Sequence, residues 1–149
     1  MSKTVAQKMG IRENSRAVFV NADKNALENM NLPALDISDK PDDEFDYIHL
    51  FVKTQHEFIH QFPKLITYLK TDGMFWVSWP KGGKLETDLN IKTVIRLGYD
   101  FGLVESTCLS INEIWSGLKF THPKKGKVYN NKYGKLNQSH QSISSKEKL

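Results

Sequence analysis

The chain has 149 residues, 39% of them hydrophobic and 26% charged, which suits one domain that removes roughly 70% of its unfolded surface from water. It holds no run of 18 apolar residues, and its opening "MSKTVAQKMG" lacks the apolar stretch of a secretion signal, so we expect a cytoplasmic protein with no membrane partner. The formal charge is +4, and one cysteine, Cys108, excludes an internal disulfide and leaves too few thiols for a zinc cluster, so no metal is expected.

From residue 17 the sequence alternates strand-like and helix-like stretches. "AVFVN" (17–21) and "DYIHLFV" (46–52) are rich in β-branched and aromatic residues, and the second is apolar on both faces, as buried parallel strands are. Between them residues 35–37 can form a short strand, whereas "SDKPDDE" is too short and too acidic for a crossover helix. "TQHEFIHQFPKLITYLK" (54–70) opens with Thr54 and Glu57 at capping-box spacing, and Phe58, Phe62, Leu65, Ile66 and Leu69 share one helical face. Pro63 removes a donor from that helix, which predicts a kink or a restart there. Gly73 in "TDG" reads as its left-handed cap, and a central strand over 74–79 follows at once.

The strand breaks at Pro80 into "PKGGK". That loop lacks the spacing of a phosphate-binding P-loop, although a backbone nest and two lysines suit a phosphate or carboxylate. Asn90 is a good N-cap for a helix that faces Ile91, Val94, Ile95 and Phe101 to one side and closes at Gly102. "LVESTCLSI" (103–111) and "IWSGLKFTH" (114–122), separated by Asn112 and Glu113, read as an antiparallel hairpin at one edge of the sheet. Residues 123–149 hold seven lysines and one glutamate, so all the excess charge lies there and residues 1–122 carry 14 basic against 16 acidic side chains. We expect 1–122 to be a single domain and 123–149 to be a basic disordered tail, or an arm that binds nucleic acid or another polyanion.

Strand and helix in alternation, then a hairpin, is the pattern of an open, mostly parallel α/β sheet. Ligands of such sheets sit beyond the carboxyl ends of the strands, here 21–23, 53–54 and 78–84, joined by the hairpin turn if its first strand runs parallel to the others. The expected ligand-binding set is therefore Asn21, Ser78, Trp79, Lys81, Asp88, Glu113 and Trp115, with no residue assigned a catalytic role. Lys81 beside Asp88 and Glu113 has two readings. One is a proton-transfer or anion-orienting set, with Ser78 as hydroxyl donor and Trp79 or Trp115 as stacking surface. The other is an ion pair pinning the loop to the hairpin, with both tryptophans in the core. His49 reads as a satisfied core histidine, Cys108 as buried packing and Lys119 as a guard on the sheet edge.

"LPALD", "FDYIHLFVK", "LKTDGMFWVSWPK", "TDLN" and "NEIWSGLKF" together resemble a family of small, uncharacterised bacterial proteins known only as a domain of unknown function. "WVSWPK" and "WSGLKF" are its specific marks, and the resemblance covers residues 4–122. It implies a shortened, methyltransferase-like Rossmann fold and no established activity. More widely, "TDGMFWVSWP" is similar to the "PGG" turn and strand of class I methyltransferases that use S-adenosylmethionine. Those enzymes follow their first strand with a glycine-rich loop, where this chain has "FVNADKNAL", without glycine. The acidic residue expected for ribose could only be Asp36 or Asp39. We therefore expect no S-adenosylmethionine or other cofactor, and a non-catalytic or regulatory module binding a small molecule or a protein. The alternatives are a small transferase-type enzyme acting on an anionic substrate through Lys81, Asp88 and Glu113, or polyanion binding through the tail.

Overall fold

The computed structural model describes residues 2–136. Strands β1 (Arg16–Val20), β2 (Asp36–Ile37), β3 (Phe45–Phe51), β4 (Leu69–Pro80), β5 (Val104–Ser110) and β6 (Trp115–Thr121) form one sheet in the order β2-β1-β3-β4-β6-β5. The first four are parallel, and β6 is antiparallel to both β4 and β5. The fold is thus the expected open, mostly parallel α/β sheet ending in a hairpin. Because β6 reverses, β5 points the same way as β1 to β4, and its turn lies at their carboxyl edge.

Helices α1 (Val5–Met9) and α2 (Lys24–Met30) cover one face, and α3 (Gln55–Ile66) and α4 (Ile91–Asp100) cover the other. The two central strands are apolar on both sides, as their sequence implies. Ile48, Leu50, Phe75 and Val77 enter the core under α3 and α4, while Tyr47, Phe51 and Trp76 enter the core under α1 and α2. The capping residues act as expected: Thr54 and Glu57 form a reciprocal capping box, and Asn90 Oδ1 accepts the Thr93 N–H at 3.0 Å. Gly98 lets α4 approach the sheet, since a Cβ there would lie 2.1 Å from the ring of the fully buried Phe120.

Several elements differ from the sequence reading. Helix α3 passes through Pro63 and stops at Ile66, and β4 begins at Leu69, five residues before the expected strand. Gly73 is therefore no helix cap. It sits inside β4, where a side chain would strike the Phe45 carbonyl at 2.9 Å, so glycine is needed for strand-to-strand approach at a register shift. Helix α1 has no long apolar period, yet Thr4 and Gln7 cap it reciprocally and Gly10 ends it in the left-handed conformation. The return from β2 to β3 needs no helix because β2 pairs only with the start of β1, at Arg16 and Ala17. Arg16 pins that return, bonding Asp42 at 2.6 Å and lying over the Phe45 ring at 4.5 Å. Lys119 is not on an edge, since β6 lies between β4 and β5. Cys108, on the true edge strand β5, is exposed rather than buried.

The expected disordered tail starts at residue 123, and its first part is packed. Tyr129, Tyr133 and Leu136 lie against the α3/α4 core, and Gly134 is buried against Tyr99. Lys92 and Lys132 place their ammonium groups 5.4 and 5.1 Å from the centre of the Tyr133 ring, and Asn131 Nδ2 donates to Glu105 at 2.8 Å. Lysine-rich composition hid three apolar anchors, whose i, i+4, i+7 spacing is helical although the segment forms turns and an isolated bridge rather than a helix. The rest of the expected tail, 137–149, lies outside the described residues. Among the described residues no helix is long and apolar enough to cross a membrane.

Two substitutions check this packing by urea unfolding. Gly98→Ala is expected to cost about 1–3 kcal/mol through overpacking against Phe120. Tyr133→Ala is expected to cost about 1–3 kcal/mol by uncovering the core beneath it, whereas a free tail would leave stability unchanged.

Candidate functional site

At the carboxyl edge the chain leaves β1 through Asn21, which adopts the left-handed conformation at φ +57°. Asparagine tolerates that region better than most residues, so a turn that glycine usually makes is made here with a side chain present. Asp23 then caps α2 by accepting the Ala26 N–H at 3.0 Å. The far end of α2 reaches the β5–β6 turn, where Asn112 Nδ2 donates to Asn29 Oδ1 at 3.0 Å. From β1 to β6 is three strand spacings, about 14 Å, and seven helical residues rise about 10 Å. Helix α2 therefore runs across the strands, on the α1/α2 face near their carboxyl ends, rather than back along them. Ala26 and Met30 are fully buried beneath it, in one cluster with Phe51 and Trp115.

Ser78, expected to offer a hydroxyl in the crevice, is instead in the core. It has no exposed surface, and its Oγ lies 2.7 Å from His49 Nε2, while His49 Nδ1 lies 2.5 Å from the Tyr47 hydroxyl. All three side chains point to the α1/α2 face and are 0% exposed. A neutral imidazole has one N–H and one lone pair, so it donates to one hydroxyl and accepts from the other, and the three groups satisfy one another. His49 also stacks on Phe51 at 4.5 Å. Burial pushes its pKa down to about 3 and raises that of Tyr47. The reading of His49 as a satisfied core histidine agrees with this environment.

The remaining candidates are brought to one edge but not into one constellation. Trp79 and Trp115 are both buried, on opposite faces of the sheet: Trp79 in the α3/α4 core, Trp115 in the α1/α2 core, 5.2 Å from Phe51 and edge-on. They cannot form one stacking surface. Lys81 Nζ donates to Ser110 Oγ, and its N–H donates to the Ile114 carbonyl at 2.7 Å. Asp88 accepts the Gln55 N–H at 2.8 Å, filling the amino-terminal end of α3 with a carboxylate from the same chain. Glu113 is exposed, and among the described residues Lys81 forms no ion pair with Asp88 or Glu113.

The loop between these residues is tightly turned. Residues Lys81–Glu86 form a short 3-10 segment in which Gly82, Gly83, Leu85 and Glu86 all have positive φ. Leu85, half exposed, and Glu86 adopt it without glycine's freedom, a strain of about 1–2 kcal/mol per residue. Thr87 Oγ1 donates to the Lys53 carbonyl and Asp88 holds α3, so this loop is clipped onto the end of β3. Asp36 pairs with Arg16 at the amino end of β1, away from any ribose position at the carboxyl edge. Among the described residues no group of three histidine, cysteine or acidic side chains could hold a metal.

No protein-family model and no curated protein matches this chain. Solved structures do. A ribosomal protein L11 methylase from Lactobacillus delbrueckii subsp. bulgaricus superposes with a TM-score of 0.51 at 12% identity, over 78% of this chain and 74% of that one. Magnesium protoporphyrin IX methyltransferase from Synechocystis PCC 6803, solved with bound SAH, superposes with a TM-score of 0.51 at 10% identity, over 79% of this chain and 78% of that one. At these identities the likeness is one of fold.

The buried histidine makes stability depend on pH. Above about pH 6.5 His49 is neutral in both folded and unfolded chains; below it only the unfolded chain takes the proton, so stability falls towards pH 3. The slope is at most about 1.4 kcal/mol per pH unit. His49→Gln should lower stability at pH 7 yet flatten the slope between pH 6 and 4 by about one proton, measured by urea unfolding; an unchanged slope would show that His49 titrates normally.

Proposed function

We propose that this chain uses a methyltransferase-like fold as a non-catalytic or regulatory binding module. The observation that supports this most is the closure of the carboxyl edge by the chain itself. Helix α2 crosses the strands near their carboxyl ends, Ser78 is spent on His49, and Asp88 fills the start of α3. Chemistry on a bound substrate needs a nucleophile or base within hydrogen-bond reach of it, backed by an orienting partner. Lys81, Asp88 and Glu113 instead point their bonding capacity at Ser110, at Gln55 and at solvent. What the edge offers a partner is a polar rim of Asn21, Lys81, Asp88 and Glu113 over a filled core.

A second reading keeps the adenosyl cofactor. It is favoured by a neighbour of the same fold that carries SAH, and by Asn21, whose left-handed backbone makes the turn that glycine makes elsewhere. The small anion-directed enzyme is the weaker alternative, since it needs Lys81, Asp88 and Glu113 to act together.

Thermal unfolding with S-adenosylmethionine and SAH separates the two main readings. A ligand with a Kd of about 10 µM, present at 1 mM, stabilises by about 2.7 kcal/mol and raises the midpoint by several degrees. The binding-module reading expects no upward shift from either compound. A saturable rise of several degrees would overturn it in favour of the cofactor reading.

A further inference from the structure

The opposite, amino-terminal edge of the sheet holds a cavity of about 320 Å3, lined by Gly10, Arg12, Ser15, Asp46, Asp72, Gly73, Met74, Lys119 and Thr121. Four separate segments build it: the turn after α1, the start of β3, the bulged start of β4 and the end of β6. Its most unusual member is Lys119. This lysine lies on an interior strand, directly opposite Trp76, which has no exposed surface. Directly opposed residues of an antiparallel pair share a face, so Lys119 projects on the α1/α2 side, where Trp76 is core.

Lys119 is partly buried, its stem lying along the sheet while its ammonium can reach the cavity and water. Among the described residues none bonds or pairs with it, and the same holds for the Arg12 guanidinium and the Ser15 and Thr121 hydroxyls. One of the two carboxylates in the wall is already taken. Asp46 is committed on both oxygens, accepting the Arg16 N–H at 2.9 Å and the Lys70 ammonium at 3.0 Å. Asp72 is exposed, and its charge acts on Lys70. Two cationic and two hydroxyl side chains thus belong to residues that line one space, Arg12 exposed and Ser15, Lys119 and Thr121 partly buried, with no partner for those side chains among the described residues. Glycine at position 10, where a Cβ would meet nothing within 4 Å, keeps one stretch of the wall free of a side chain.

We propose that this cavity binds a small oxyanion, a molecule carrying one carboxylate or phosphate group, held between Lys119 and Arg12 with Ser15 and Thr121 donating. The volume is that of about ten waters, at the small end of ligand pockets, which suits a compact metabolite. A space of this size does not take in an extended polyanion such as nucleic acid. The proposal goes beyond the binding-module reading and stands independently of it, because the two edges share no residue.

The test uses the full chain, with inorganic phosphate and malonate as probes for the two oxyanion chemistries, titrated at constant ionic strength against sodium chloride. At least one probe is expected to raise the unfolding midpoint saturably by a few degrees over the chloride control. Lys119→Met, which keeps the side-chain length and removes the charge, should abolish that rise, and Arg12→Gln should weaken it at least several-fold. Without a probe, Lys119→Met should be about as stable as the parent, since the ammonium removed has no protein partner among the described residues. The proposal is overturned if neither probe acts beyond chloride, if the rise persists in Lys119→Met, or if Lys119→Met alone is clearly less stable. Failure of this test leaves the response to S-adenosylmethionine and SAH untouched, so the two accounts fail separately.

Discussion

Two hydroxyls and one imidazole lie in the middle of the sheet with only each other for partners. Tyr47, His49 and Ser78 come from neighbouring strands, are fully buried, and leave no polar side-chain atom orphaned. Losing one partner would strand the others at about 1–3 kcal/mol each. The arrangement therefore fixes the register of β3 against β4, because a slip of one residue would send His49 and Ser78 to the other face. It also requires a dry roof. Helix α2 supplies one with Ala26 and Met30, tied at its start by Asp23 and at its end by the Asn29–Asn112 bond.

That roof decides what the methyltransferase-like plan can still do here. In a sheet of this kind the ligand crevice opens beyond the carboxyl ends of the strands. Here those ends are flanked by α2 on one side and by the clipped loop from Lys81 to Asp88 on the other. The amino edge has the opposite character. There the strands leave a cavity, and a lysine on an interior strand enters it without a partner among the described residues.

Much of the fold was legible because its signals are local. The capping residues Thr54, Glu57 and Asn90, the two-sided apolar runs of β3 and β4, and the existence of the hairpin each declare themselves within a few positions, although its connection spans residues 111–114 rather than the two expected. Features set by pairing were hidden. Gly73 looks like a helix cap until the Phe45 carbonyl is seen beside it, and Lys119 looks like an edge residue until the strand order places β6 inside the sheet. Ser78 and His49 are 29 positions apart, and only the β3–β4 register joins them. The opposition of Trp79 and Trp115 was readable in principle, since alternation sends Trp79 and Ser78 to different faces and Trp115 pairs beside Pro80. In the tail, charge and polar composition masked Tyr129, Tyr133 and Leu136, which anchor a segment of turns despite their helical spacing.

The central claim is that the carboxyl edge is closed above the buried core that holds His49. Nitrogen NMR of the His49 imidazole across pH, with and without SAH, addresses it most directly. A closed edge predicts a neutral ring with both nitrogens hydrogen-bonded, no titration between pH 8 and pH 5, and no change when SAH is added. A midpoint near pH 6.5, or ring shifts that follow SAH concentration, would show instead that water or a cofactor reaches this site.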